Sequence, residues 1–587
     1  MLLKSLAAMI LLKAMWLHWL GVFLGLSSAL MVIALDKEDD SKWKTALLIL
    51  GGISLLPGLA YVLIPVLAKV ADIEASRSNL ALLAWLASTG MGVAGGLWFL
   101  RHGVHKLEGV FAKFKKKSSL ERNRRTDVRE IDAFLPAAIG SFDPCKYFDE
   151  ASGMFVGLDE NKEPVYIPYE DWKLSHVLLS GRTRSGKGVA AQSLLSQAIQ
   201  RGEFVIVLDP KGDAWMPYIF KKISDECGQP YVLVDFRKNL NDGTALWAQI
   251  NLFEGCDEET IESMLIGAFS LAEKGEAADF YRLSDRAAAR AVARYVIEER
   301  KALGRSPTPI EICEHFAPVW DDSDNREAPK GFAAAMRELA AVPAVNRTTG
   351  GVDILALERT GGCLYTIGDM GNTSLVKIQR MLLLRLMMLA KKRDYINADP
   401  RQITVFADEF KVHISKPFMT SLGAAAGWGL HCILAFQSLQ DLADCPADLD
   451  KDAVRGGVME NCAIQLSYRI KDPETAEWLA ASTGQILVDD ESRRIKTNIA
   501  LSETFESERS VRLAERYFVD MNMMMNMPKG CGVLVGATKL PSFCYTSPIK
   551  VVRDPAAVTP TVAKGTAQQA KAKTLADAAD ELEIIEE

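Results

Sequence analysis

Residues 181 to 188 read Gly-Arg-Thr-Arg-Ser-Gly-Lys-Gly, which is the spacing of a phosphate-binding loop. The loop lies between a strand-like run, His176 to Ser180, and a helix-like run, Val189 to Ile199. This order of elements directs backbone N–H groups and a helix N-terminus at phosphate oxygens, and Lys187 can reach the β- and γ-phosphates. The segment therefore predicts an ATP site. Its candidate contact residues are Gly181, Arg182, Thr183, Arg184, Ser185, Gly186, Lys187, Gly188 and Val189.

One position departs from the usual loop pattern. Gly188 stands where a serine or threonine hydroxyl normally ligates Mg²⁺. Two explanations stay open from the residues alone. Either water or a nearby hydroxyl, Thr183 or Ser185, fills that coordination position, or metal binding depends more strongly on carboxylates elsewhere.

A second apolar run, Ile403 to Ala407, ends in two adjacent acids. Asp408 is the candidate Mg²⁺ ligand, and Glu409 would orient and deprotonate the attacking water, as phosphoryl transfer to water requires. A further strand-like run, His431 to Phe436, ends in Gln437, which is placed to sense the γ-phosphate. We therefore predict Lys187, Glu409 and Gln437 as the catalytic residues of an ATP hydrolase.

Composition excludes several other classes of protein. The formal net charge of −7 over 587 residues argues against a basic surface that coats nucleic acid, so any DNA contact must be confined to a patch or channel. The ten cysteines form no C-x-x-C pair and no Cys/His cluster. Neither a zinc site nor a disulfide framework is indicated.

Three apolar stretches without Asp, Glu, Lys or Arg open the chain, at Met15 to Leu35, Ala46 to Ala68 and Leu80 to Leu100. Each has about the 20 residues that a helix needs to cross a bilayer. Nine Lys or Arg against two Glu follow between Arg101 and Arg125, which predicts that the following domain is cytoplasmic. Two spans with one interfacial helix are the alternative to three spans, since Pro57 and Pro65 could kink the second segment.

Buried-type runs alternate with helix-length segments from residue 151 onward, which favours an α/β fold with a parallel sheet covered on both faces. Between Cys256 and Gly350 only helical spacing is found, so we expect an all-α inserted domain there. We divide the chain into a transmembrane anchor (1–105), a basic juxtamembrane linker (106–150), a nucleotide-binding domain in two parts (151–255 and 351–553), the inserted domain (256–350) and an acidic tail (554–587), which is expected to be disordered.

These motifs together resemble the coupling proteins of type IV secretion and conjugation systems, the TraG/TraD kind of membrane-anchored ATPase. The resemblance covers residues 150 to 550 and rests on five segments in this order: Gly181 to Gly188, Asp209-Pro-Lys-Gly-Asp213, Phe406-Ala-Asp-Glu-Phe410, Gln437-Ser438, and Glu474-Thr-Ala-Glu-Trp-Leu479 with Thr483-Gly484. Glycine after the loop lysine is common in one branch of that family, so Gly188 agrees with the resemblance.

The resemblance implies a RecA-like motor domain, assembled as a homo-hexamer under the bacterial inner membrane and held there by several spans. Such proteins use ATP and Mg²⁺ to move relaxase-bound single-stranded DNA, or effector proteins, toward inner-membrane components of a type IV secretion channel. The lipid bilayer is then a further partner. A ring motor would need an arginine supplied by a neighbouring subunit, for which Arg455 and Arg469 are candidates.

Two other functions were weighed against this one. The chain could be a recruitment platform in which nucleotide mainly controls assembly, or an FtsK/HerA-like DNA pump. Nothing after Ser547 is long enough to fold as the separate DNA-reading domain that FtsK-type pumps usually carry. The loop between the second and third stretches, residues 71 to 78, is also short for a family in which many members have a periplasmic domain.

Overall fold

The computed structural model describes most of the chain, in the ranges 20–36, 42–70, 78–104, 127–237, 248–272, 279–322, 328–394, 397–497 and 503–558, with isolated positions at 2, 4–6, 9 and 106–107. The basic run at 108–126 and the tail from residue 559 lie outside the described residues. Two compact units are present: one comprises residues 1–123 and 487–516, and the other residues 124–486 and 517–587.

The strands are β1 (Met154–Leu158), β2 (Pro164–Ile167), β3 (Val177–Ser180), β4 (Phe204–Asp209), β5 (Tyr231–Asp235), β6 (Gly362–Ile367), β7 (Ile403–Ala407), β8 (Leu430–Phe436), β9 (Ile464–Tyr468), β10 (Gln485–Thr497), β11 (Glu503–Tyr517), β12 (Cys531–Val535) and β13 (Ser542–Tyr545).

The helices are α1 (Leu20–Leu35), α2 (Lys42–Val70), α3 (Ser78–His102), α4 (Tyr169–Leu174), α5 (Lys187–Gln200), α6 (Met216–Glu226), α7 (Glu258–Ala268), α8 (Asp279–Leu303), α9 (Pro309–Trp320), α10 (Lys330–Ala340), α11 (Ile354–Thr360), α12 (Thr373–Lys391), α13 (Lys416–Ala425), α14 (Leu439–Ala443), α15 (Lys451–Asn461), α16 (Pro473–Ser482), α17 (Met521–Asn526) and α18 (Pro555–Val558).

The first unit contains α1, α2, α3 and the two-stranded β10–β11 sheet. Helices α1 and α2 are joined by a hydrogen bond of 2.8 Å from the Ser27 hydroxyl to the Gly51 carbonyl oxygen. Within the described ranges, no helix is both long enough and apolar enough to cross a bilayer. The membrane anchor therefore stays a prediction.

The second unit is built on one large sheet with the strand order β2-β1-β13-β12-β9-β3-β8-β7-β4-β6-β5. The strands from β9 to β5 are parallel to one another, whereas β12, β13, β1 and β2 extend the sheet with antiparallel pairs. The parallel sheet and the α/β class were predicted and are confirmed. The antiparallel extension and the β10–β11 pair were not predicted.

Central strand β4 explains why its sequence is apolar without alternation. Phe204, Ile206 and Leu208 belong to the apolar cluster on one face of the sheet, while Val205 and Val207 belong to the cluster on the other. Successive side chains of a strand point to opposite faces, so a strand covered on both sides needs apolar residues at every position. Asp209, its last residue, therefore reaches the carboxyl edge of the sheet from a rigid support.

The described residues between Asp257 and Ala340 form helices α7 to α10 and no strand. Their buried side chains, among them Leu265 and Val296, belong to the same apolar cluster as β4 and β7. A Cβ atom at Gly267 would overlap Leu384 of α12, so α7 and α12 are in close contact. Met523 and Met524 of α17 are buried in a third apolar cluster, so they have a packing role.

Candidate nucleotide site

The phosphate loop, residues 181–188, connects β3 to α5 at the carboxyl edge of the parallel strands. Gly181 and Gly186 have φ values of 147° and 140°. A Cβ atom at Gly186 would lie 2.6 Å from Cε1 of Tyr468, whose buried ring packs against the loop. No described side chain caps the start of α5. Its first N–H groups are therefore available to an anion.

Lys187 lies at the start of α5, inside the loop that it would serve. Its ammonium donates to the carbonyl oxygen of Gly181 and, at 3.4 Å, to that of Arg182. Burial lowers the pKa of Lys187 to about 8, against the opposing influence of the carboxylates of Glu409 and Asp408. The side chain is therefore still mainly charged at pH 7 and can bind phosphate.

The hydroxyls that could replace the one missing at Gly188 have different surroundings. Ser185 is 3% exposed, and its Oγ has no hydrogen-bond partner among the described residues. Thr183 is exposed, and its Oγ1 donates to Oε1 of Gln437 at 3.1 Å. A buried hydroxyl without a partner is costly unless a ligand or water satisfies it. Ser185 is therefore the better candidate for the missing hydroxyl.

The two acids after β7 occupy different environments. Burial raises the pKa of Asp408 to about 6, with Lys211 acting in the opposite direction. Glu409 is 2% exposed and has left-handed backbone angles, φ 47° and ψ 59°. This conformation is uncommon for a residue other than glycine, and such residues concentrate at functional sites. It directs the Glu409 carboxylate toward the phosphate-loop side of the sheet edge, where its partners lie.

Glu409 stands in a chain of polar contacts that joins the ends of four strands, β3, β4, β7 and β8. Its Oε1 accepts a hydrogen bond of 2.6 Å from Nε2 of Gln437 and also contacts the ammonium of Lys211. Gln437 in turn accepts from Thr183, so the amide connects the phosphate loop to the acid. The backbone N–H of Gln437 donates to Asp441 at 2.8 Å, which fixes the start of α14.

Lys211 was not assigned a role from the sequence, and the turn that carries it is tightly built. Asp209, 2% exposed, accepts hydrogen bonds from the backbone N–H groups of Lys211, Gly212 and Asp213 at 2.9, 2.8 and 2.6 Å. It also accepts one of 2.6 Å from the hydroxyl of Tyr365. The available signal in the sequence was the Asp209-Pro-Lys-Gly-Asp213 segment itself. In this turn the buried Asp209 carboxylate accepts the backbone N–H groups that follow it.

A cavity of about 840 Å³ adjoins these residues. The phosphate loop, Asp408, Glu409 and Lys211 form one side of it. The other side consists of residues 139–142 and 545–548, which sequence reasoning missed. These two segments are bonded to each other, because Oγ of Ser547 donates to the Phe142 carbonyl oxygen at 2.6 Å and accepts from the Phe142 N–H at 3.2 Å.

Mg²⁺ prefers oxygen ligands and usually takes only one or two carboxylates beside phosphate and water. The described residues contain no group of three or more His, Cys, Asp or Glu that could hold a metal ion. Asp408 together with the unpartnered Ser185 hydroxyl satisfies the smaller requirement. The residues at this edge therefore fit a magnesium ion that arrives with a nucleotide, and they do not fit a permanent metal centre.

Several known proteins are similar to this chain. Residues 402–529 match the TraG-D_C family, described as the TraM recognition site of TraD and TraG. Mobilization protein A of Escherichia coli is 27% identical over 414 residues, which are 68% of this chain and 73% of that protein. The chain resembles the TraG/TraD proteins.

Solved structures place this TraG/TraD-like protein within a known fold. The bacterial conjugative coupling protein TrwBdeltaN70 aligns with a TM-score of 0.50 at 16% identity, over 73% of this chain and 97% of that one. TrwB in complex with ADP and Mg²⁺ aligns with a TM-score of 0.47 at 15% identity, over 71% and 94% of the two chains. The first of these alignments supports the mixed α/β fold, which this chain shares with that protein.

The TraG/TraD-like protein brings most of its predicted site residues to one edge of the sheet. Lys187, Asp408 and Glu409 line the same cavity, and Gln437 reaches Glu409 directly. Neither candidate arginine lines this cavity, although the carbonyl oxygen of Arg469 accepts a hydrogen bond of 3.0 Å from the backbone N–H of Arg182 in the phosphate loop. Arg469 donates from Nε to the carbonyl oxygen of Met525 at 2.9 Å. Arg455 lies 3.8 Å from Glu474 on α16, and the choice between the two stays a prediction.

Proposed function

We propose that the chain is an ATPase that couples a conjugation or secretion substrate to a membrane channel. One observation carries the proposal. A phosphate-loop lysine, Lys187, a buried acid, Glu409, and an amide that bonds both the loop and the acid, Gln437, converge at one edge of a RecA-like sheet. Binding of nucleotide alone would need the loop but not the acid or the amide.

Each residue has a distinct part in the proposed reaction. Lys187 and the N–H groups at the start of α5 bind the phosphates. Glu409 accepts a proton from the attacking water, and Gln437 holds the carboxylate in position. Asp408 and Ser185 would hold Mg²⁺, which supplies positive charge opposite the transferring phosphoryl group when it is bound.

The finer assignments follow from the resemblance and from the sequence. We propose that the active form is a homo-hexamer in which a neighbouring subunit supplies an arginine, and that its cargo is relaxase-bound single-stranded DNA or an effector protein. The N-terminal apolar stretches would anchor it in the bacterial inner membrane. Retention of full-length protein in the membrane fraction after alkaline carbonate extraction is the expected result, and release of the protein would contradict the anchor.

A second candidate, the recruitment platform, is favoured by the match of residues 402–529 to a family described as a TraM recognition site. That segment contains Asp408, Glu409 and Gln437 as well as more distal helices. Recognition of a relaxosome protein and hydrolysis could therefore use the same region. The two candidates differ in whether Glu409 is needed for substrate transfer.

ATP hydrolysis by the purified full chain, with and without single-stranded DNA, tests the proposal. Glu409→Gln serves as the blank, and we expect it to lower kcat by roughly 10²- to 10⁴-fold because the general base is lost. Stimulation by DNA that weakens with salt would support a DNA motor. Hydrolysis that is unaffected by Glu409→Gln would contradict the proposed roles, and full transfer by that variant would favour the platform.

A further inference from the structure

We propose that Lys211 senses the γ-phosphate by exchanging its ion pair with Glu409 for the phosphate of a bound nucleoside triphosphate. The inference rests on the proposed ATPase function and adds a regulatory residue to the same site. Lys211 lies after β4, whereas Glu409 lies after the neighbouring strand β7. The exchange would free the Glu409 carboxylate for the attacking water only when a triphosphate is present.

The turn that carries Lys211 holds the lysine backbone in a defined place. Three backbone N–H groups of the turn donate to the buried Asp209 carboxylate, and Gly212 has a φ of 79°, which glycine adopts most readily. A Cβ atom at Gly212 would also lie 2.8 Å from the guanidinium of Arg237. A solvated surface lysine would not need this support. The turn therefore fixes the lysine beside the site while its long side chain can still move.

The contact made by Lys211 occupies the Glu409 carboxylate. Oε1 of Glu409 already receives Nε2 of Gln437 at 2.6 Å and the ammonium of Lys211. With two donors on this one oxygen, neither of its lone pairs is left to receive the attacking water. The Lys211 side chain is 40% exposed on the cavity side, whereas that of Glu409 is 2% exposed. Lys211 is therefore the partner that can leave.

A triphosphate in the phosphate loop would compete for Lys211. Lys211 and Lys187 line the same cavity, and the charge of Lys211 lowers the pKa of Lys187, so the two ammonium groups act on each other. A γ-phosphate carries more negative charge than one carboxylate and would bridge both lysines. Glu409 would then keep only its neutral partner, Gln437, and one position on its Oε1 would be open to the attacking water.

A double-mutant cycle on nucleotide affinity tests the exchange without relying on hydrolysis. The variants are Lys211→Met, Glu409→Gln and the pair, with Lys221→Met as the control, because Lys221 is also ion-paired, with Asp225 at 2.6 Å on α6. Affinities for a non-hydrolysable ATP analogue and for ADP are measured by titration. The Trp215 side chain, which lines the cavity and is 46% exposed, provides a fluorescence signal.

We expect Lys211→Met to weaken binding of the triphosphate about tenfold relative to ADP, because a charge-assisted phosphate contact is lost. Glu409→Gln should strengthen triphosphate binding several-fold, since it removes the competing anion, and this gain should vanish in the Lys211→Met background. Lys221→Met should change neither affinity. Thermal melting of each variant confirms that it is folded, and Lys211→Arg should keep part of the discrimination.

Equal loss of ATP-analogue and ADP affinity in Lys211→Met would overturn the exchange, as would a gain from Glu409→Gln that persists without Lys211. Failure of the wild-type chain to bind any nucleotide is a different outcome, because it would remove the proposed ATPase function itself. A wild-type chain that binds both nucleotides while Lys211→Met retains full discrimination leaves the ATPase standing and rejects only the role of Lys211.

Discussion

Two buried glutamates lie at opposite edges of the same sheet, and their surroundings differ in kind. Glu203 precedes β4 at the amino edge, and Glu409 follows β7 at the carboxyl edge; each is 2% exposed. Glu203 accepts hydrogen bonds from neutral groups, the hydroxyl of Tyr169 at 3.0 Å, the indole N–H of Trp172 at 3.3 Å and the hydroxyl of Thr404. Glu409 has an ammonium and an amide as partners.

The histidines at the amino edge extend the contrast. Burial lowers the pKa of both His176 and His431, in the second case to about 3, so both rings are neutral at pH 7. Burial also raises the pKa of Glu203 to about 7, which leaves this acid largely protonated below neutrality. The amino edge is therefore a cluster of polar groups that burial has neutralised, with a structural role.

The carboxyl edge keeps its charges because opposite charges and a strained backbone hold them there. Lys187, Lys211, Asp408 and Glu409 line one cavity, and Glu409 has a φ of 47°. Burial of an ionisable residue is thus a poor indicator of function by itself. Charged partners that could be exchanged for a ligand, together with an unfavourable backbone conformation, separate the two edges.

Of the three variants that test the contrast between the two edges, Lys187→Ala should have the largest effect on hydrolysis, because it removes the cation inside the phosphate loop. We expect nucleotide hydrolysis to fall by roughly 10²- to 10³-fold, as for loss of other preorganised charge-stabilising donors, and substrate transfer to stop. The abundance of the chain should stay unchanged, as quantitative blotting would show. Lys173→Ala, at a half-buried lysine paired with Glu170 at 3.0 Å near the amino edge, is the matched control.

Normal substrate transfer by cells that carry only the Lys187→Ala chain would contradict the functional difference between the carboxyl and amino edges of the sheet. Loss of transfer in both variants, accompanied by low abundance, would instead indicate a general folding defect. The control lies on α4 beside the neutral cluster, so the comparison tests position in the fold as well as charge.

A smaller effect is expected from Gln437→Ala, which breaks the contact chain between the phosphate loop and the acid. The loss of a hydrogen bond to a charged group should lower kcat by roughly tenfold, with little change in KM, because Lys187 and the loop still bind the phosphates. Steady-state kinetics measure both constants. Gln440→Ala, an exposed glutamine on the adjacent α14, is the control and should leave both constants unchanged.

A roughly tenfold fall in kcat/KM that came entirely from a higher KM would mean that Gln437 contributes to nucleotide binding and does not position Glu409 for catalysis. That result would separate Gln437 from Glu409 although the two side chains are in contact. It would also weaken the view that the residues that follow β3, β7 and β8 form one catalytic site at the carboxyl edge of the sheet.

The sequence predicted the parallel strands and the residues that follow them, because continuous apolar runs followed by the phosphate loop, by Asp408 or by Gln437 are local signals. The partners of those residues were harder to predict. Lys211 and Glu409 are 198 positions apart, and their pairing depends on β4 and β7 being neighbours in the sheet. Periodicity along the chain contains no information about which strands pair.

The wall formed by residues 139–142 and 545–548 was missed for the same reason. These segments lack repeating apolar patterns, and the bond between Ser547 and Phe142 spans 405 positions. The β10–β11 pair was missed because Gln485–Thr497 and Glu503–Tyr517 are rich in charged residues, so their apolar alternation is weak. The features that could not be predicted from the sequence are mainly those that depend on contacts between residues far apart in the chain.

The smallest effect on catalysis is expected at the amino edge, from Glu203→Gln, which should change the pH dependence of stability instead. Burial raises the pKa of Glu203 from 4.5 to about 7, so the folded chain holds a proton in this window that the unfolded chain releases. The stabilising contribution is complete below pH 4.5 and is lost as the pH rises through about 7. Its full size would be on the order of 3 kcal/mol.

The amide of Glu203→Gln imitates the protonated acid, since its oxygen can accept from Tyr169 and Trp172 while its NH₂ group donates to the Thr404 hydroxyl. Thermal melting midpoints measured from pH 5 to pH 8 should therefore diverge, with the variant relatively more stable at the alkaline end. ATP hydrolysis should change less than twofold at pH 7, because the site lies at the other end of β4, about 20 Å away for six residues of strand. If the melting midpoints of the wild-type and variant chains change with pH in the same way, Glu203 is ionised in the folded chain and the amino edge also carries charge.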